Sequence, residues 1–292
     1  GRELAEKIIA DEQEHLKDYL AEHAALVAEC ENARTIPGRV RPRLINMSNC
    51  RNVWVHGLTL KNGASWNQHM IYSDNITTDH CRFVSEGVWN GDGWDPDSST
   101  NCTLFACEFA TGDDAVAIKS GKNPEGNKIG RPSAHIYVFD CRSTAGHGIC
   151  LGGIEDVQIW DCDLTTSWSG IEIKATPKRG GYVRGVSVRD CTASRLLVHA
   201  VPYNDDGEAA PRQPVFSHLS FERLTLTGRG LRDGSFENVE PIELAGFDAP
   251  GHELRDVVLD GITVENETGT MTLPVKYCRG LTIRDLTCAA RK

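Results

Sequence analysis

Along most of the chain, apolar and polar residues alternate over short stretches, skip a beat, and alternate again. The pattern apolar-x-apolar-x-x-apolar-x-apolar recurs nine times, with copies beginning at Val53, Ile76, Cys102, Ile136, Val157, Val186, Leu219, Val257 and Leu281. The run from Asn52 to Leu60 (NVWVHGLTL) is representative, and so is that from Asp156 to Leu164 (DVQIWDCDL). The match is loose in places: Thr78 fills an apolar slot. Alternation of period two predicts strands, and the polar or Gly residues at the skip predict a bend. Each copy is thus read as two short strands joined at a corner. The copies start 21 to 38 residues apart. Such a unit cannot bury its apolar face alone, so the repeat predicts an all-β parallel β-helix whose coils stack on one another.

The cysteines fit this reading. The chain has 11 of them and no CxxC pair, which weakens a zinc-ribbon reading. Cys81, Cys107, Cys141, Cys162 and Cys191 fill the third apolar position of five consecutive copies. A buried ladder of free thiols, each acting as a small hydrophobe, is predicted there rather than a disulfide framework. Residues 2–33 differ. Leu4, Ile8, Ile9, Leu16, Leu20, Leu26 and Val27 lie among charges with no Gly or Pro, the pattern of an amphipathic helix or helix pair. Residues 1–40 are therefore read as a helical segment and connector that caps or flanks the coil end. Residues 41–292 are read as the β-helix domain.

Composition narrows the function. A net charge of −10 argues against a nucleic-acid partner but leaves an anionic substrate open, since overall charge says little about a local cleft. No apolar run approaches the roughly 18–20 residues of a membrane span. No signal peptide is visible, and the chain begins at Gly1. Asn46, Asn75, Asn101 and Asn266 begin sequons, but Asn at such turns commonly satisfies backbone groups, so they are read as structural.

Four polar clusters interrupt the repeat at coil spacing: Asn90 to Gly93 (NGDG), Gly112 to Asp114 (GDD), Gly146 to Gly148 (GHG) and Ile173 with Lys174. Either Asp motif alone builds turns. Stacked in one coil, the clusters would gather Asp92, Asp113, Asp114, His147 and Lys174, a set suited to acid–base chemistry on a polar substrate. Three neighbouring carboxylates cannot all ionise easily, so one pKa is expected to rise and supply an acid.

These clusters resemble the four motifs of the polygalacturonase family, glycoside hydrolase family 28. The flanks match too, at 93–99 (GWDPDSS), 115–121 (AVAIKSG), 179–184 (RGGYVR), 41–44 (RPRL) and 203–208 (YNDDGE), the last two in the manner of bacterial exo-acting members. The resemblance implies a right-handed parallel β-helix that hydrolyses α-linked galacturonic acid residues in pectin or pectic oligosaccharides, with inversion, exo-acting, and with no cofactor or metal. It implies Asp113 as general acid and Asp92 and Asp114 as the groups that activate water. His147 would tune the proton network, and Lys174, Asn90 and Tyr203 would bind substrate. Pectin as substrate favours secretion or the periplasm over the cytoplasm, and leaves the oligomeric state open.

The departures matter as well. Gly91 stands where the family has Thr or Ser, the segment after Gly148 is short, and the first coils of a full-length member are expected to be missing. Glu172 stands where the family has Arg, which removes a bidentate carboxylate clamp. It would pair with Lys174 or Arg179, or mark a neutral-sugar subsite, or leave the clamp to Arg179 or Arg184. The rivals are a hydrolase of rhamnogalacturonan or another modified pectin, a non-catalytic polysaccharide-binding β-helix, and a β-elimination lyase, the least favoured.

Overall fold

The computed structural model describes residues 41–122, 125–202 and 208–291. The helical segment expected before residue 41 lies outside the described residues. The rest forms three sheets of nine parallel strands each, consistent with a right-handed parallel β-helix. The chain visits the first, second and third sheet in turn and then returns to the first, so each coil contributes one strand to each sheet.

All nine repeat copies lie across the corner between the second and third sheets. Val53, Ile76, Cys102, Ile136, Val157, Val186, Leu219, Val257 and Leu281 pair in sequence as one ladder through the second sheet. The first residues of the copies therefore sit one above another, about 4.8 Å apart. The polar residues between them also have a physical explanation. In every copy, the residue just before the start and the fifth residue are left-handed. Asn52, Asn75, Asn101, His135, Asp156, Gly185, His218, Asp256 and Gly280 occupy the first position, with φ between 51° and 76°. Gly57, His80, Ala106, Asp140, Asp161, Asp190, Arg223, Gly261 and Asp285 occupy the second, with φ between 48° and 68°. Asn, Asp, His and Gly tolerate this conformation better than other residues. Asn75 and Asn101 also bridge to the neighbouring coil, Asn75 donating to Asn52 Oδ1 at 2.7 Å and Asn101 to Asp74 Oδ1 at 2.7 Å.

The core is filled by inward positions of all three sheets, such as Met70, Ile118, Leu151, Ile173, Val198 and Leu244 from the first, all buried. The thiol ladder is present. Cys81, Cys107, Cys141, Cys162 and Cys191 are buried and free. Each donates to the carbonyl two residues earlier, at 3.2–3.3 Å. Each thiol thus meets a backbone acceptor of its own coil.

Ala106 and Arg223 hold left-handed φ values of 51° and 52° with ordinary side chains, which costs about 1–2 kcal/mol each. Ala106→Gly is expected to stabilise the fold by about 0.5–1 kcal/mol, since relief of this strain exceeds the added entropy of the unfolded chain. Urea unfolding of both proteins measures the difference, and a lower midpoint for the variant would contradict it.

Candidate active site

The site is built where the connections from the third sheet enter the first. Gln68, Trp94, Val116 and Ile149 pair in succession across the first sheet. Two residues before each stand Trp66, Asp92, Asp114 and His147. Consecutive coils therefore deliver an indole, two carboxylates and an imidazole to one column. Asp113 joins through the same turn as Asp114. Gly146 and Gly148 pin the imidazole between them. Both have positive φ (83° and 97°), and a Cβ on them would lie 2.2 Å from the carbonyl oxygens of Asp113 and Gly170 respectively. Only glycine lets adjacent coils approach this closely. The His147 amide donates to Asp113 O at 3.0 Å.

His147 Nδ1 lies 3.0 Å from Asp113 Oδ1 and 3.4 Å from Asp114 Oδ1. Asn90 donates to Asp113 Oδ2 at 3.4 Å. Hydrogen bonds from His147 to Asp113 and Asp114 outweigh desolvation and push the imidazole up to about 10. Burial would raise Asp113, but the His147 hydrogen bond and charge, with Lys174 and Lys119 behind them, hold it below the usual carboxylate range. Asp92 moves the other way: burial, then the negative charge of Asp95, push it well above that range. The raised carboxyl expected from three clustered acids is thus Asp92 rather than Asp113, because the one imidazolium sits on Asp113 and the deepest burial falls on Asp92.

Lys119 is the residue that the motif reading missed. Its ammonium is in contact with Asp95, lies 3.7 Å from Asp92 Oδ2, and stands 3.6 Å from the centroid of the Trp66 ring. Asp95 is buried, with burial pushing its pKa up despite Lys119. Beside it, His69 Nε2 is 3.5 Å from Asp97 Oδ2, and Asn46 Oδ1 is 2.7 Å from His69 Nδ1. Asp95, Asp97 and Lys119 all fall in matched flanks, but only the ladder, in which Asp95 pairs with His69 and Asp97 with Lys119, turns them toward the site. Asp92 Oδ1 and Asp95 Oδ2 are buried and accept no hydrogen bond from the described residues.

Two coils further on, Glu172 and Lys174 point the same way from the strand Gly170–Ala175. Lys174 donates to Glu172 Oε2 at 3.0 Å, and His199 Nε2 lies 2.9 Å from Glu172 Oε1. Burial would raise Glu172, but His199 and Lys174 hold it down to about 2. His199 pairs with Lys174 across the ladder, a placement the sequence motifs did not carry. Arg184 is turned away on the second sheet, where its guanidinium meets Glu155. Arg179 lies in the turn after Lys174, its amide donating to Thr176 O at 3.0 Å. Tyr203 lies outside the described residues. Donor atoms of Asp113, Asp114 and His147 lie within 4.8 Å of one another. As a metal ligand His147 would first have to shed the proton that this ion pair retains up to about pH 10.

The family described as Glycosyl hydrolases family 28 matches residues 27–197, more than half of the 292 residues, and the chain belongs to that family. A probable polygalacturonase of Vitis vinifera is 38% identical over 164 residues, 53% of this chain and 33% of that protein. An exo-poly-alpha-D-galacturonosidase of Dickeya chrysanthemi is 26% identical over 259 residues, 84% of this chain and 43% of that protein. The chain thus spans between a third and a half of these two relatives. The fold is similar to that of a hyperthermoactive exopolygalacturonase from Thermotoga maritima, with a TM-score of 0.67 at 22% identity over 94% of this chain and 62% of that one. It is also similar to that of a polygalacturonase from Erwinia carotovora ssp. carotovora, with a TM-score of 0.54 at 20% identity over 86% of this chain and 60% of that one.

The His147–Asp113 pair has a pH signature. A folded-state pKa of about 10 against an ordinary 6.5 means that its stabilisation is complete below about pH 6.5 and is lost as pH rises through about 10. The melting temperature of wild type should exceed that of His147→Gln near pH 6, and the gap should close toward pH 10. A gap independent of pH would contradict the ion pair.

Proposed function

We propose that the chain hydrolyses α-linked galacturonic acid residues in pectin or pectic oligosaccharides, with inversion and from the chain end. The observation that carries this is the convergence of Asp92, Asp113 and Asp114 on one face with His147 bonded to Asp113. Inverting hydrolysis needs one carboxylic acid to protonate the leaving oxygen and a second group, on the other side, to take a proton from the attacking water. Asp113 is the carboxylate with a proton source in contact, the His147 imidazolium. Lys174 and Lys119 both depress Asp113. A uronate carboxylate bound beside Lys174 would cancel part of that field and raise the proton affinity of Asp113, so that it takes up the proton it delivers. The exposed edge of Asp113 then protonates the glycosidic oxygen as the bond to the anomeric carbon breaks.

The orphan oxygen Oδ1 of Asp92 and the nearby carboxylate of Asp114 suit a water held between them. In this reading the water attacks the anomeric carbon and gives its proton to Asp114. Asp92, held toward its protonated form by burial, donates a hydrogen bond that fixes the water. Lys119 positions Asp92 and Asp95 and spares the site a third unpaired anion. Exo action is supported by the galacturonosidase relative and by the flanking resemblance; endo-acting relatives from Pectobacterium also match this chain, at 28% identity over 70% of it. A substituted galacturonan is the second reading. Glu172 favours it, because a carboxylate occupies the place where the family carries its Arg clamp.

The test is product analysis by mass spectrometry and reducing-end assay on polygalacturonate, its short oligomers and rhamnogalacturonan. Monogalacturonate should appear from the first time points, and Asp113→Asn should slow its release by about 10²–10⁴-fold. Oligomers of mixed length would point to endo action, and release from rhamnogalacturonan alone would favour the second reading. Retention of oligosaccharide with no release by wild type would replace hydrolysis with binding.

A further inference from the structure

A second cluster of donor atoms lies on the outer side of the second sheet, away from the carboxylates described above. His56 closes the strand Arg51–His56 and pairs in register with Asp79, which closes Asp74–Asp79. His80 follows with φ 51°, which turns its side chain back beside Asp79. One carboxylate oxygen, Asp79 Oδ2, lies 2.8 Å from His56 Nδ1 and 2.7 Å from His80 Nδ1. The other, Oδ1, accepts from the Trp54 indole N–H. Asp79 is 3% exposed although it sits on the outside of the coil. Its cover is the neighbouring rings, with the His56 ring tilted against Trp54 and His80 at centroid distances of 5.1 Å and 5.4 Å. The imidazoles themselves remain open, at 52% and 60% side-chain exposure.

We infer that His56, Asp79 and His80 form a site for one divalent transition ion of the zinc, nickel or cobalt kind. The donor atoms all lie within 4.8 Å of one another. Two imidazole nitrogens and one carboxylate oxygen suit these ions, with water filling the remaining positions toward solvent. Ligands about 2.0–2.1 Å from an ion are about 3.3 Å apart in a tetrahedron. The two imidazole–carboxylate distances need to open by only about half an ångström, which rotation of the half-exposed rings provides. Trp54 supplies the outer hydrogen bond that orients a ligating carboxylate. On binding, each imidazole carries its proton on Nε2 and turns the Nδ1 lone pair to the ion. The ion would tie two successive coils together, so binding also stabilises the fold. The sequence held no signal for this, because the donors are one coil apart rather than four residues apart.

Isothermal titration of the EDTA-treated protein with ZnCl₂ near neutral pH tests the site, with His56→Ala/His80→Ala and His147→Ala beside wild type. Circular dichroism without zinc establishes that each variant folds. His80→Asn is the milder variant, since His80 is exposed and Asn accepts the left-handed backbone. Wild type should bind one ion here with micromolar affinity and melt higher with zinc. The double variant should lose one equivalent of zinc and the zinc-dependent shift in melting temperature, and His80→Asn should bind at least about tenfold more weakly. His147→Ala should retain both. Absence of binding in wild type, or stoichiometry unchanged in the double variant, or loss in His147→Ala alone, would overturn the inference. None of these readouts depends on sugar hydrolysis.

Discussion

Everything in this molecule depends on coils stacking in register. The ladder from Val53 to Leu281 forces equivalent residues of successive coils to lie about 4.8 Å apart. Inside, this packs Ile on Ile and Cys on Cys at full burial. Outside, the same register leaves no freedom over which polar residues become neighbours. Asp92 and Asp114 are 22 positions apart in the chain, yet the Gly93 amide donates to Asp114 O at 3.0 Å. The apolar ladder holds like charges together that would separate in a free chain. The left-handed corners make this possible, since a right-handed or extended residue there would carry the chain out of the coil.

The cost of gathering acids is met by a few cations placed with care. Buried charges lose hydration, and an unpaired one is far costlier than a pair. Lys119 touches Asp95 and lies near Asp92, and His147 sits on Asp113. The compensation is uneven, and the unevenness is useful. Asp113 has its own imidazolium and is driven down, while Asp92 shares one ammonium with Asp95 and is driven up. The direction follows from which coil carries the His, something that a count of nearby carboxylates does not reveal.

The sequence was most legible where the coil geometry is least variable. The link between the second and third sheets is two residues long in every coil, as in His56 to Thr59 and Trp160 to Asp163. Its apolar pattern therefore repeats with fixed internal spacing, and all nine starts were readable. The links into and out of the first sheet vary in length: two residues separate Asp97 from Thr100, while 14 separate Ile118 from Ser133. The strands of that sheet, such as Trp94–Asp97 (WDPD), also carry functional polar residues instead of alternation. The sheet that lines the site thus left no periodic signal. Asp92, Asp113, Asp114 and His147 were found through their motifs, whereas Lys119, Asp95 and His199 acquire meaning only from partners a coil away.

Glu172 shows how one substitution can reshape a subsite without disturbing the coil. Its position is outward on a strand whose inward residues, Ile171 and Ile173, are buried, so packing tolerates any side chain that finds partners. Glu172 pairs with Lys174 and His199, and His199 in turn lies 3.6 Å from Glu243. An Arg there would have added a second fixed cation beside Lys174 and a fork suited to a carboxylate. The carboxylate instead engages Lys174 from within the protein. The Lys174 ammonium is therefore paired within the protein instead of standing as an isolated cation on the sheet face.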